Sequence, residues 1–269
     1  MPATALLPED VAPAFGVPRT AVPMPGGEGR TYRCGDLVLR EENPGDEVEA
    51  TYNAELFASI VEDGFRVPRP VRARDGGWLA AGRWSAWTFV EGRPSSRADA
   101  PALVRALEAF HRAIAAAPYP QQIDERTSPY ARADRAAFGE LPPDVHVPLR
   151  PSLERLYVLR RPVDGLREQV VHGDPSPGNV LIADVLPPAI IDMATYWRPP
   201  EFALAVAAFW LGPYRGDADV LAHFAHIPAF DQMLLRACIR SLLVMDGFGY
   251  VHELPSYRAA IDIVRARAG

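Results

Sequence analysis

The chain has 269 residues, 48% of them hydrophobic, with a formal net charge of −6 and two cysteines, Cys34 and Cys238, far apart in sequence. That is enough apolar material for a real core and enough length for two lobes around a cleft. The acidic balance argues against nucleic acid as a partner, the cysteine spacing against a disulfide framework, and the lack of any run near ~18 uninterrupted apolar residues against a membrane span, so the expected compartment is the cytoplasm.

All 28 basic residues are arginine. A GC-rich coding bias accounts for this together with the abundant Ala, Gly and Pro. It still means that any role usually given to a lysine falls here to a planar, permanently charged guanidinium.

In chain order, residues 1–30 are rich in Pro and Gly, with one short helical stretch at 8–15, and read as an arm laid over the surface. Strands at 31–33 and 37–40 flank the turn dipeptide Gly35-Asp36 as a hairpin. A helix is predicted at 46–62, entered through Asn43-Pro44-Gly45, with Val48, Tyr52, Leu56 and Ile60 at four-residue steps. A strand pair at 71–74 and 77–81 and a run at 86–90 complete a small β-rich part. From Ala98 onward the pattern is helical, beginning at 102–117, where Leu103, Leu107, Phe110 and Ile114 repeat on one face. Further helices are predicted at 129–138, 151–159, 201–211, 230–245 and 256–268. Between them, apolar runs at 169–172, 180–182 and 189–192, bounded by Gly and Pro, read as short buried strands.

These last runs carry the chemistry. His172-Gly173-Asp174 closes the first, Asn179 stands five positions after Asp174, and Asp192 ends the third run thirteen positions after Asn179. Strand, loop, strand, turn, strand would bring the three polar groups to one side of a cleft. Phosphoryl transfer asks for such a set: a carboxylate facing the acceptor hydroxyl, an amide and a second carboxylate on a divalent cation, and basic groups on the phosphates. The plainer alternative is that Asp174 and Asn179 only stabilise a turn rich in Pro and Gly.

His-Gly-Asp, the Asn five residues on and the later Ile190-Ile191-Asp192 together resemble the catalytic segment of the aminoglycoside phosphotransferase family, part of the protein-kinase-like superfamily. The resemblance implies an α+β, bilobal, protein-kinase-like fold. Residues 1–93 would be a β-rich nucleotide-binding lobe, the hinge would lie near 88–92, and 94–269 would be a mainly helical catalytic and substrate-binding lobe. It implies Asp174 as the base or orienting carboxylate, Asn179 and Asp192 as Mg2+ ligands, and His172 as a brace for the loop. Gly26, Gly27 and Gly29 fall where the family keeps its nucleotide-covering loop, and backbone groups of Phe89 and Val90 fall at the hinge.

Arg40 stands where these enzymes usually present a lysine to the phosphates, although a surface arginine paired with Glu41 or Glu42 would leave the same residue there. Glu55 is the expected helix partner of Arg40, with Glu49 as second choice. The function implied is phosphate transfer from ATP or GTP to a hydroxyl of a small molecule, the alternative being a nucleotide-binding regulator without turnover. The acceptor stays open. Glu201, Asp217, Asp219, Asp246 and Glu253 are carboxylates that could meet a cationic one, or could simply face solvent.

Overall fold

Residues 4–25 and 29–269 are described by a computed structural model, in which the Pro-rich start of the chain is built into a sheet. Strand β1 (Ala5–Leu6), helix α1 (Val11–Phe15) and strand β2 (Thr20–Pro23) occupy the segment expected to be a surface arm. Leu7, Val11, Ala12 and Phe15 are buried with Leu39, Trp84 and Ala86, so burial of apolar side chains overrides the loop-like composition. Gly16, at φ +68, ends α1 with the left-handed turn that a side chain would resist.

Next come β3 (Thr31–Cys34) and β4 (Leu37–Glu41), joined at the predicted Gly35-Asp36 turn, then α2 (Glu47–Ser59), β5 (Leu79–Ala80) and β6 (Trp84–Thr88). They complete a six-stranded antiparallel sheet in the order β1-β2-β3-β4-β6-β5. Residues 71–74 do not form the expected strand. An isolated bridge, Pro70 to Trp87, the Val71 N–H to the Ala86 carbonyl at 2.8 Å and the Thr88 N–H to the Arg69 carbonyl at 2.8 Å tie this stretch to β6, while Pro68 and Pro70 have no N–H to offer a ladder.

After β7 (Arg93–Pro94) the chain is mainly helical: α3 (Ala100–Ala113), α4 (Pro129–Phe138) and α5 (Arg150–Tyr157) precede β8 (Gln169–His172), β9 (Val180–Ile182), β10 (Ala189–Ile190) and β11 (Thr195–Arg198). Helices α6 (Pro200–Leu211), α7 (Phe230–Gly247) and α8 (Arg258–Ala268) close the chain. Helix α4 begins under a Ser128 cap, its hydroxyl accepting from the Ala131 N–H. Helix α6 is buried on nearly every side, from Phe202 to Leu211, and forms the centre of the helical part. Strand β9 pairs with β10 on one side and β7 on the other, while β8 pairs with β11 in the register His172 to Thr195.

Two cores result. One lies under the sheet, and the larger is built from α3 to α8. The apolar face of α2, with Leu56, Phe57 and Ile60, belongs to the larger one together with Phe65 and Phe110. The segment after α2 is tied the same way, since the Arg66 N–H reaches the Pro188 carbonyl at 2.8 Å and the Ile190 N–H reaches the Arg66 carbonyl at 2.9 Å. Where the chain crosses to the helical part, Gly92 passes so close to β9 that a Cβ would stand 2.8 Å from the Leu181 Cβ. Among the described residues, no helix is long and apolar enough to cross a membrane.

Candidate active site

Strand β8 delivers His172 at its end, and the Gly173 N–H continues the pairing by bonding the Ala194 carbonyl at 2.7 Å. Gly173 lies flat on the Tyr196 ring. A Cβ there would be 2.0 Å from a ring carbon, so only glycine lets the loop sit this low. From below, Arg240 of α7 donates to the Gly173 carbonyl at 2.9 Å, with Asp134 4.0 Å away and the Tyr196 ring beside it.

His172 is fully buried and behaves as a brace. Its Nε2 faces the Ile191 carbonyl at 3.1 Å, and its Nδ1 meets the backbone N–H groups of Asp174 and Ala194 at 3.3 and 3.4 Å. One nitrogen donates and the other accepts, as the neutral ring requires, and burial pushes its pKa down. His111 is buried as well, and its Nε2 accepts the His172 backbone N–H at 3.2 Å. Burial, with His172 beside it, takes the His111 pKa down to about 3.

Beyond Pro175, the Asn179 amide nitrogen donates to the Asp174 carbonyl at 2.9 Å and to its carboxylate at 3.3 Å. Both partners are acceptors, which fixes the amide with its oxygen directed elsewhere. The Ile191 N–H then bonds the Asn179 carbonyl at 3.0 Å, carrying the chain from β10 to Asp192. Asp192 has φ +54, a left-handed conformation that aspartate tolerates better than most residues. Its carboxylate bonds Arg40 of β4, whose Nε also lies 3.3 Å from Glu42. Arg40 thus makes both the pairing with a neighbouring glutamate and a contact with the residue that follows β10 and Ile191. Glu42 is buried, which raises its pKa, and it accepts from the Ser85 hydroxyl at 2.6 Å.

Among the described residues, no three His, Cys, Asp or Glu side chains gather into a metal cluster. The donors present still fit a hard divalent cation: the Asn179 amide oxygen and the Asp192 carboxylate are the oxygen ligands Mg2+ takes alongside water and phosphate. The Arg40 guanidinium already on Asp192 marks that carboxylate as a place for positive charge.

Other sequence-derived residues fall less simply. Gly26 and Gly27 lie outside the described residues; Gly29, at φ +75, precedes β3. Glu55 is corrected: it is exposed on the outer side of α2. The inward glutamate is Glu49, and its partners are the Thr195 N–H at 3.2 Å and the Arg126 guanidinium at 2.5 Å. At the expected hinge, the Phe89 N–H is taken by the Asp36 carbonyl at 2.7 Å, which takes that group away from any role in meeting a base.

Of the carboxylates considered for a cationic acceptor, Asp246 is buried and holds the His146 ring at 3.1 Å, and Asp217 pairs with Arg97 at 3.1 Å. Arg240 escaped the sequence reading. Its one signal was an arginine four residues after another, Arg236, on a helix otherwise apolar at those positions.

The model of the APH group, described as the phosphotransferase enzyme family, matches residues 21–235. Among solved structures, amicoumacin kinase hAmiN, in complex with AMP-PNP, Ca2+ and Ami, is 12% identical with a TM-score of 0.60, over 92% of this chain and 84% of that one. A thermostable mutant of aminoglycoside phosphotransferase APH(4)-Ia is 17% identical with a TM-score of 0.57, over 88% and 89%. Spectinomycin phosphotransferase APH(9)-Ia, in complex with ADP and spectinomycin, is 11% identical with a TM-score of 0.56, over 94% of each chain. At such identities these likenesses speak for the fold. No curated protein sequence matches the chain. Since the family match runs from β2 into α7 and takes in the whole of the Asp174 to Asp192 segment, this protein belongs to the phosphotransferase enzyme family.

Proposed function

We propose that the protein transfers the terminal phosphoryl group of ATP or GTP to a hydroxyl of a small molecule, with Asp174 as the group that receives or orients the acceptor proton. The observation that supports this reading is the bonding of Asn179 to Asp174, which joins the proposed acid–base carboxylate to the proposed amide ligand in one loop, while Asp192 is held by Arg40.

The acceptor O–H gives its proton toward Asp174 as its oxygen bonds to the γ-phosphorus. The bond from that phosphorus to the β,γ-bridging oxygen breaks, and the nucleoside diphosphate leaves with the electron pair. Asn179 and Asp192 would hold Mg2+, which when bound supplies positive charge to the β- and γ-phosphates. Arg40 takes the lysine's place and steadies phosphate oxygens with its fork, returning toward Asp192 and Glu42 when they depart. Phe89 and Val90 offer backbone groups to the base. Arg240, His172 and His111 touch no substrate; they hold the loop in position.

The test is nucleotide consumption by the purified protein with a panel of hydroxylated metabolites and aminoglycosides, run beside Asp174→Asn. Acceptor-stimulated release of diphosphate that is lost in the variant supports the reading. Equal background rates from both proteins across the panel would overturn it.

A further inference from the structure

Three arginines are buried in the helical part, and two of them have acids. Arg198 is bonded to Asp134 and Glu140, and Arg240 has Asp134 at 4.0 Å. Arg236, only 6% exposed, differs. Its Nη1 donates to the carbonyl and side-chain oxygens of Gln232 at 3.0 and 3.2 Å, and its Nη2 to the Arg161 carbonyl at 2.7 Å. Its Nε is buried with no hydrogen-bond partner, and among the described residues no carboxylate comes within ion-pair distance. A guanidinium taken out of water without a counter-charge is costly, which is why buried arginines are usually paired.

Arg236 also lines a pocket of about 430 Å³, open to solvent, with Phe138, Val163, Leu166 and Met233 beside it. Glu168, the acid in that lining, is half exposed and lies 3.8 Å from Arg198, drawn to a different cation. Burial and the nearby Arg160 lower the Arg236 pKa to about 10, the direction expected of a cation short of negative charge. The volume is within the range of small-molecule sites, which combine apolar walls with a few placed polar groups.

We propose that this cavity is a binding site for a small carboxylate with an apolar tail, the carboxylate meeting Arg236 and the tail lying along Phe138, Val163, Leu166 and Met233. It is separate from the phosphate-transfer centre: none of its lining residues belongs to the Asp174 to Asp192 segment, and nothing in it asks for a nucleotide. The site stands whether or not the proposed reaction does.

Thermal unfolding and calorimetric titration of the full chain with octanoate, octan-1-ol and acetate test it. Octanoate should bind saturably and raise Tm, acetate and octan-1-ol should do so far less, and Asp174→Asn should bind octanoate as the parent does. Arg236→Met should weaken octanoate binding about tenfold or more. Val163→Trp, which fills the cavity from its wall and leaves the guanidinium intact, should abolish it and serves as the second variant if Arg236→Met does not fold. Octan-1-ol matching octanoate, no saturable octanoate binding, or undiminished binding in Val163→Trp would each overturn the proposal.

Discussion

The Arg40 guanidinium holds the Asp192 carboxylate across 152 positions of sequence, joining strand β4 to the end of the β10 turn. A lysine has one point of charge to give; this arginine divides its fork between Asp192 and Glu42. Replacing it by methionine removes both contacts and the charge that would meet phosphate. Nucleotide affinity in the presence of Mg2+, read by calorimetry, should fall about 10- to 100-fold in Arg40→Met, in line with lost charge-assisted bonds. Arg40→Lys, keeping charge without the fork, should lie between the two.

The proposed function gives Asn179 two jobs that separate experimentally. Asn179→Ala should raise the Mg2+ concentration needed for half-maximal turnover, because the proposed ligand oxygen is gone. It should also lower kcat at saturating Mg2+, because the two bonds to Asp174 are gone. Unchanged Mg2+ dependence would leave Asn179 as a loop brace only.

Gly173→Ala tests the seating of the loop. The added Cβ would lie 2.0 Å from the Tyr196 ring, so the ring or the loop must move. Overpacking of this kind costs about 1 to 3 kcal/mol. Urea midpoints should fall accordingly, and turnover should fall with them.

The buried histidines give the fold an acid limit. His111 has a folded-state pKa of about 3, below its ordinary value, so the unfolded chain binds the proton more readily than the folded one. Its contribution is therefore fully present above about pH 6.5 and is lost as pH falls toward 3, at about 1.4 kcal/mol per pH unit for the single site. Unfolding free energies measured at pH 7, 5.5 and 4.5 should decline, and His111→Gln should flatten the decline by one proton's worth of slope.

Glu49 and Glu55 should separate cleanly. Glu49→Gln removes an acid that holds Arg126 and the Thr195 N–H and should cost about 1 to 3 kcal/mol. Glu55→Gln, on the exposed side of the same helix, should stay within about 0.5 kcal/mol. Chemical denaturation of both variants decides between them.

That last pair shows where the sequence was misleading. The stripe through Val48 and Tyr52 suggested an inward face for α2, yet Val48 is 64% exposed and the buried face runs through Ala50, Asn53, Ala54 and Phe57. A polar Asn53 inside, bonded to Met193 and Thr195, and a valine outside erase the helix's periodicity. The start of the chain was obscured in a similar way, since prolines disguise a segment whose Leu7, Val11 and Phe15 are core.

Strand β11 was missed because Thr195–Arg198 is short, carries an arginine and runs directly into two prolines. The Asp174 to Asp192 segment and the larger helices were legible because their signals are local: fixed spacings of polar residues, and apolar residues repeating on one face. Arg240 acts through tertiary contact alone, and no local pattern announces it.

The placement of α2 constrains how such a protein can be governed. Its Leu56, Phe57 and Ile60 lie in the same packed interior as Phe65 and Phe110, and the segment behind it is stitched to β10 through Arg66. Swinging the helix outward would expose those side chains to water, at about 1.5 to 3 kcal/mol for each large one. A helix anchored so firmly offers no inexpensive resting posture to switch out of.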